Sequence, residues 1–223
     1  MVKLTSPQTF KIVTYILSHP QTSQVEISRI VGVSTNLVNY VVSALETPGL
    51  LAQRMKEHLE LLDPLRLLEA ISLERPLSKL VESEVRTEES EPSKVERMVR
   101  NAAVHGKGKY ALTAFSALTK YTEYYITYPS VHVYSDKPLE LAKRITKGRG
   151  DVAVQILRPD SELILKEVEL RGELEVVQPI QVVIDLFCLG GPGRDGAVKL
   201  YQQMMQVNEL DLQGSRGASS ANR

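Results

Sequence analysis

The sequence predicts an α+β protein made of two parts, a small helical unit that ends in a β-hairpin and a larger domain of mixed helices and strands. Three observations predict this division. Residues 1–62 contain helix-start signals and apolar residues at helical spacing, followed by an alternating segment with a polar centre. Residues 75–210 mix short β-branched runs with helical patterns, and residues 211–223 are rich in Ser, Gly, Ala and Arg. We therefore expect domains at 1–74 and 75–210, followed by a disordered tail at 211–223.

Three short helices open the chain. Ser6-Pro7 begins the first, and His19-Pro20 ends it because the residue before proline avoids the α region. Ser23 and Glu26 form a capping box that begins the second helix, in which Ile27, Ile30 and Val31 supply an apolar face. The segment 32–34 is a tight turn whose Ser34 caps a third helix running to about Glu46.

A hairpin and a fourth helix complete the first part. Residues 50–63 alternate in polarity on either side of the polar centre 54–57, which predicts strand, turn and strand. Asp63-Pro64 then begins a linker helix through Leu65, Leu68 and Ile71. Helices and a hairpin in this order are typical of a winged helix-turn-helix.

The second part alternates strands and helices without an internal repeat. Ser93 and Glu96 form a second capping box, which predicts a helix that closes at residues 106–108. The other predicted elements are strands at 80–87, near 110, and at 131–134, 152–157, 163–170 and 174–177, and helices at 113–120, 138–145, 179–189 and 194–207.

Composition indicates an ordinary globular chain, with 43% hydrophobic and 24% charged residues. No run approaches the roughly 18 apolar residues of a membrane helix, and residues 1–9 lack the apolar segment of a signal peptide. Cys188, the single cysteine, lies in an apolar run, so we expect a buried thiol rather than a nucleophile, and a cytoplasmic location. Although the net charge is zero, residues 93–150 carry eleven Lys/Arg against four Asp/Glu, a distribution that suits contact with phosphate.

The third helix carries the strongest functional signal. Asn36, Asn39, Tyr40 and Ser43 share one helical face, away from the apolar residues, and an Asn amide can pair with adenine through two hydrogen bonds. Basic groups at the hairpin tip suit phosphate or minor-groove contact. The predicted contacts to double-stranded DNA are therefore Ser34, Thr35, Asn36, Asn39, Tyr40, Ser43, Arg54, Lys56 and His58. Lys107 and Lys109 are secondary phosphate contacts or else residues of a solvated turn.

Two other classes of function remain open from the residues alone. A winged helix can serve as a protein adaptor, and the net charge of residues 1–62, with five Lys/Arg against four Asp/Glu, favours that alternative. A nucleotide-binding enzyme would use the glycine-rich segments 191–196 or 106–109, although the first is better interpreted as a turn between helices. The four histidines, Cys188 and single aspartates such as Asp185 show no metal or catalytic spacing, so we expect no enzyme activity, cofactor or metal. The tyrosines at 121–134 are interpreted as half-buried, with a stacking surface for nucleic acid as the alternative.

Two blocks in the second part resemble signatures of the AbiEi family. The first is Tyr110-Ala111-Leu112-Thr113 followed by Ala117-Leu118; the second runs from Val177 to Gln181 and continues through Asp185-Leu186 to Gly193-Arg194. Members often carry glycine shortly after the first block, where Ala114 and Phe115 stand here.

The resemblance implies an antitoxin of a type IV, abortive-infection toxin–antitoxin system. Its winged helix would bind inverted repeats in its own promoter and repress transcription. The second domain would supply antitoxicity and assist DNA binding, and the functional partner would be a nucleotidyltransferase-like toxin. We also expect a homodimer, because a single winged helix binds modestly and paired half-sites are the usual remedy.

Overall fold

The computed structural model describes residues 2–54, 58–124 and 127–220. Its first part is a winged helix-turn-helix built from helices α1 (Pro7–Ser18), α2 (Gln24–Val31) and α3 (Thr35–Glu46). These pack on a small antiparallel sheet in the order β1-β3-β2, with strands β1 (Gln21–Ser23), β2 (Leu51–Gln53) and β3 (His58–Leu61). The predicted helices and hairpin are thus confirmed, and β1 is an additional strand.

Local capping explains where these helices begin. The Ser23 side chain accepts a hydrogen bond from the Glu26 amide, and the Ser34 side chain accepts one from the Leu37 amide. One expectation for α2 is wrong: Ile27 is fully buried, whereas Ile30 is 57% exposed and lines a cleft against the second domain. A helix of eight residues presents only about two turns to the core, so one apolar position suffices.

Helix α4 (Pro64–Glu74), capped by Asp63, leads into the second domain through a 3-10 turn at Leu77–Leu80. Among the described residues, that domain contains one mixed sheet in the order β4-β7-β6-β5-β9-β8, in which antiparallel and parallel pairs alternate. The strands are β4 (Val81–Arg86), β5 (Tyr110–Thr113), β6 (Ser130–Ser135), β7 (Ala153–Leu157), β8 (Val168–Arg171) and β9 (Leu174–Val177). The helices are α5 (Pro92–His105), α6 (Ala114–Tyr121), α7 (Pro138–Arg144), α8 (Leu163–Lys166), α9 (Pro179–Leu189) and α10 (Gly193–Ser220). The predicted α+β class is confirmed.

Helix α9 is the centre of the molecule. Its residues 180–188 are all buried, and it packs against α6 and α10 of its own domain and against α1 and α4 of the first. The hydroxyl of Tyr201, on α10, donates a hydrogen bond to the Leu17 carbonyl at 3.0 Å. The two domains therefore meet through buried contacts in addition to the linker helix.

Three predicted features of the second domain differ from the structure. Helix α5 begins at Pro92 with Glu91 as its N-cap, and Ser93 forms no cap, because Glu96 is drawn inward to Lys120 and Tyr128. Residues 163–170 are not one strand, since α8 precedes β8. Helix α10 continues to Ser220, so much of the predicted disordered tail 211–223 has helical backbone; residues 221–223 lie outside the described residues.

Candidate nucleic-acid interface

The turn between α2 and α3 fixes the direction of α3. Gly32 ends α2 with φ of 72°, a left-handed conformation that favours glycine. The Ser28 hydroxyl donates to the Val33 carbonyl at 2.6 Å, and Ser34 then caps α3. These local bonds hold the two helices of the helix-turn-helix at a defined angle.

Helix α3 separates an apolar inner face from a polar outer face. Val38, Val41, Val42 and Leu45 are buried against the rest of the winged-helix domain. All the predicted base-contacting and capping residues of α3 are exposed: Ser34, Thr35, Asn36, Asn39, Tyr40 and Ser43. The structure thus brings this predicted set together on one surface.

The outer face has free hydrogen-bonding capacity. Within the described part of the chain, the side chains of Asn36, Asn39 and Tyr40 have no hydrogen-bond partner. Tyr40 is 58% exposed, so its ring and hydroxyl are both accessible. Free amides on an exposed helix of this fold suit direct contact with base edges in a major groove.

An ion pair with Glu60 partly neutralises the charge of Arg54 in the wing. The Arg54 guanidinium donates to Glu60 Oε2 at 2.7 Å. The Arg54 amide donates to the His58 carbonyl at 2.6 Å. His58 is exposed, whereas Lys56 lies outside the described residues. A phosphate that contacts Arg54 would therefore compete with the carboxylate of Glu60.

Lys107 and Lys109 lie in the turn between α5 and β5 and are exposed. The Lys109 amide donates to Asp136 Oδ1 at 2.7 Å, and Lys137 Nζ donates to the Lys107 carbonyl at 3.3 Å. Lys137 therefore lies next to the two predicted lysines, and the carboxylate of Asp136 belongs to the same cluster.

A second basic surface, which no sequence motif predicted, lies along the outer side of α5. A cleft of about 650 Å³ is lined by Lys94, Arg97, His105 and Arg144, with Glu89 as its acidic member. The signal available in the sequence was the excess of Lys/Arg over residues 93–150.

The most tightly bonded polar cluster lies between the two domains and centres on Arg75, the residue that follows α4. Its guanidinium donates to Asp160 at 2.6 and 3.1 Å, to Asp185 at 2.8 Å and to the Tyr134 hydroxyl at 2.8 Å. Asp185 also accepts from Thr113 at 2.6 Å and from Gln181 at 2.8 Å. The sequence pattern shows Asp185 as a single carboxylate without a partner, but the fold joins it and Asp160 to one cation.

The electrostatics of this cluster follow from its burial. The side chains of Arg75 and Asp185 are 3% and 0% exposed. Burial raises the pKa of Asp185, while Arg75 and the hydrogen bonds from Thr113 and Gln181 oppose that rise. Burial by itself lowers the pKa of Arg75, but Tyr134 and the two aspartates raise it well above its ordinary value. The guanidinium therefore stays charged.

The glycine-rich segment 191–196 connects α9 to α10, as predicted: Gly191 and Pro192 form the turn, and residues 193–196 are the first turn of α10. A Cβ added at Gly193 would lie 2.5 Å from the Leu186 carbonyl oxygen, and one at Gly196 would lie 2.7 Å from Leu118. These glycines allow α10 to pack closely on α9 and α6, so helix packing explains them without a phosphate ligand.

The remaining candidates for chemistry are mostly structural. Cys188 is buried, and burial raises the pKa of its thiol to about 12. Tyr128 and Tyr134 are buried, and the Tyr121 hydroxyl donates to the Val177 carbonyl, so these three form no exposed stacking surface; Tyr125 lies outside the described residues. Over the described ranges, no group of three or more His, Cys, Asp or Glu side chains is placed to hold a metal ion.

Comparison with known proteins gives a match for the N-terminal unit. Residues 6–51 match the family model of winged helix-turn-helix DNA-binding domains. Neither the curated proteins nor the solved structures provide a match. In the described part of the chain, no helix combines the length and the apolar character needed to cross a membrane. The matched residues contain α1, α2 and α3 with the exposed face described above, so the N-terminal unit is a winged helix-turn-helix DNA-binding domain and the chain is a DNA-binding regulator.

Proposed function

We propose that the protein is a sequence-specific transcriptional repressor that binds inverted repeats in its own promoter. The observation that carries the proposal is the outer face of α3, where Asn36, Asn39 and Tyr40 are exposed and free of partners within the described residues. Helix α3 enters the major groove, and the wing with Arg54 and His58 lies along the phosphate backbone.

The second domain adds phosphate contacts to this complex. Lys107 and Lys109 of one turn and Lys137 at the start of α7 form one exposed basic cluster, and Lys94, Arg97 and Arg144 line the cleft beside α5. Such contacts strengthen binding to every sequence and make it depend on salt, whereas α3 supplies the selectivity.

The primary test is a binding titration of purified protein on the intergenic DNA upstream of its gene, with a scrambled duplex of equal length, at two salt concentrations. We expect tight binding to the first duplex that weakens with salt, and weaker binding to the second. Equal affinity for both duplexes would overturn the proposal.

Variants of α3 locate the selectivity. Asn36→Ala and Asn39→Ala should each weaken binding to the upstream duplex about 5- to 150-fold and leave binding to the scrambled duplex unchanged, because a bidentate contact to a base is worth about 1–3 kcal/mol. Gln202→Ala removes another exposed helical amide, on α10, and is the matched control. If both Asn variants retain full selectivity, α3 is not the reading helix.

The finer role that we propose is that of an antitoxin in a type IV toxin–antitoxin system. Support comes from the two blocks that resemble AbiEi proteins, because they meet in the core: Thr113 of the first block donates a hydrogen bond to Asp185 of the second. The test is to express the neighbouring gene alone and together with this chain. Growth arrest by that gene, relieved by co-expression, supports the role; a harmless neighbour contradicts it.

A further inference from the structure

An apolar groove crosses the winged-helix domain. It encloses about 690 Å³ between the N-terminal segment, the C-terminal end of α3 and helix α4. Its apolar lining includes Val2, Leu4, Ala44, Leu50, Ala70 and Leu73. None of Asn36, Asn39 or Tyr40 lines this groove, so an occupant would leave the DNA-reading face free.

Leu73 lines the groove and projects into solvent. It is 82% exposed, which is the largest exposure of any large apolar side chain among the described residues. Leu65, in the first turn of α4, and Leu62, just before the helix, are also exposed, at 40% and 47%, but they do not line the groove. Leu73 and the apolar lining of the groove form one continuous apolar surface, and such a surface marks an interaction site more often than scattered single residues do.

The charged residues at the groove indicate what covers it. Arg66, Ala70 and Glu74 lie four residues apart on one face of α4, so the two charges are placed symmetrically about a small residue. Within the described chain the Arg66 guanidinium has no partner, and Glu74 uses only Oε2, which accepts from the amide and hydroxyl of Thr5. Two such helices packed antiparallel about Ala70 would bring each Arg66 against a Glu74 of the other copy.

We propose that the groove is a homodimer interface in which α4 packs antiparallel on α4 of a second copy. A two-fold axis passes near Ala70, whose small side chain lets the helices approach closely. Leu73 of each copy enters the groove of the other, and two Arg66–Glu74 pairs flank the axis. The interface deepens the proposed function by supplying two α3 helices for an inverted repeat, but the observations that carry it are independent of DNA.

Light scattering during size exclusion, without DNA, is the first test. We expect a dimer for the unaltered protein and a monomer for Leu73→Glu, since the exposed position does not support the fold of the single copy. Leu139→Glu, which alters a 56% exposed leucine on α7, is the matched control and should remain a dimer. A monomeric unaltered protein, or a Leu73→Glu protein that remains dimeric, would overturn the interface.

Charge reversal and cross-linking test the geometry. Arg66→Glu should weaken the dimer, and Arg66→Glu combined with Glu74→Arg should restore it. Ala70→Cys should form a covalent dimer with a short bis-maleimide, because Cys188 is only 9% exposed and gives little background; Leu139→Cys should not. Absence of cross-linking in a dimeric Ala70→Cys protein would place the axis elsewhere and overturn the proposal.

These tests separate the two proposals. A dimer with this interface that binds all DNA equally would keep the interface and overturn the specific repressor. A monomer that still selects the upstream duplex would overturn the interface and keep the repressor.

Discussion

Arg75 and Asp185, which are 110 residues apart in the chain, form a buried ion pair with a distance of 2.8 Å between Nη1 and Oδ1. The pair joins the end of the linker helix α4 to the middle of α9, so it connects the DNA-binding domain to the core of the second domain. Because Asp185 is fully buried, removal of the cation leaves a carboxylate without a charged partner.

We expect Arg75→Met to lower the free energy of unfolding by about 3–5 kcal/mol, the range for loss of one partner of a buried ion pair. Arg194→Met is the matched control, because the pair of Arg194 with Glu69 is half exposed and should contribute about 0–1 kcal/mol. Urea unfolding followed by circular dichroism measures both. Equal midpoints for the two variants would show that Arg75 does not stabilise the junction of the domains.

The ion pair of the wing predicts a variant with increased affinity. Glu60→Gln should release Arg54 for phosphate, tighten binding to any duplex and steepen the dependence of log K on log salt by about 0.9. Glu162→Gln, which releases Lys166 on the second domain, is the control. An unchanged salt slope for Glu60→Gln would mean that Arg54 does not reach the DNA backbone.

Ala114 has φ of 51°, a conformation that favours glycine, directly after the first AbiEi-like block. A left-handed residue with a Cβ costs about 1–2 kcal/mol, so Ala114→Gly relieves strain that offsets the flexibility it adds. We expect Ala114→Gly to be less destabilising than Ala117→Gly, at another fully buried position of α6, by about 1 kcal/mol or more. Thermal unfolding of both variants gives the comparison, and equal losses would exclude strain at Ala114.

His132 gives the fold a dependence on pH. It lies buried on β6, its Nδ1 has no partner in the described structure, and burial lowers its pKa to about 4. The unfolded chain takes up this proton near pH 6.5 and the folded chain does not, so stability falls as the pH falls from about 6.5 to about 4. The expected loss over that window is about 3 kcal/mol.

His132→Gln should remove this part of the pH dependence. Urea unfolding at pH 7 and pH 5 for both proteins isolates the contribution, since the carboxylates titrate alike in each. A slope in His132→Gln as steep as that of the unaltered protein would assign the acid sensitivity to other groups.

The winged-helix domain could be predicted almost element by element because its signals are local. Ser23, Ser34 and Asp63 cap the helices that they were expected to cap, and the outer face of α3 follows from helical periodicity alone. Strand β1 could not be predicted, since three residues are too few to show alternation and depend on pairing with β3.

The Arg75 cluster could not be predicted for a different reason. Its members come from the residue after α4, from β5, β6 and α9, and from the loop after β7, and only the fold brings them together. The available hint was a single aspartate, Asp185, inside the apolar run of α9. The predicted capping box of Ser93 and Glu96 was wrong for the same reason. Glu96 interacts with Lys120 and Tyr128, from other parts of the chain, rather than with the start of its own helix.

The anchoring of α4 has a consequence for the operator. The Arg75–Asp185 pair holds the end of α4 on α9, and the hydrogen bond from Tyr201 to Leu17 joins α10 to α1, so two contacts besides the linker fix the winged-helix domain on the second domain. In the proposed dimer, the separation of the two reading helices is then built into the protein. Insertion of about five base pairs between the half-sites would turn one of them to the opposite side of the duplex, whose helical repeat is about 10–10.5 base pairs. Such an operator, with every contacted base intact, would engage only one half of the dimer.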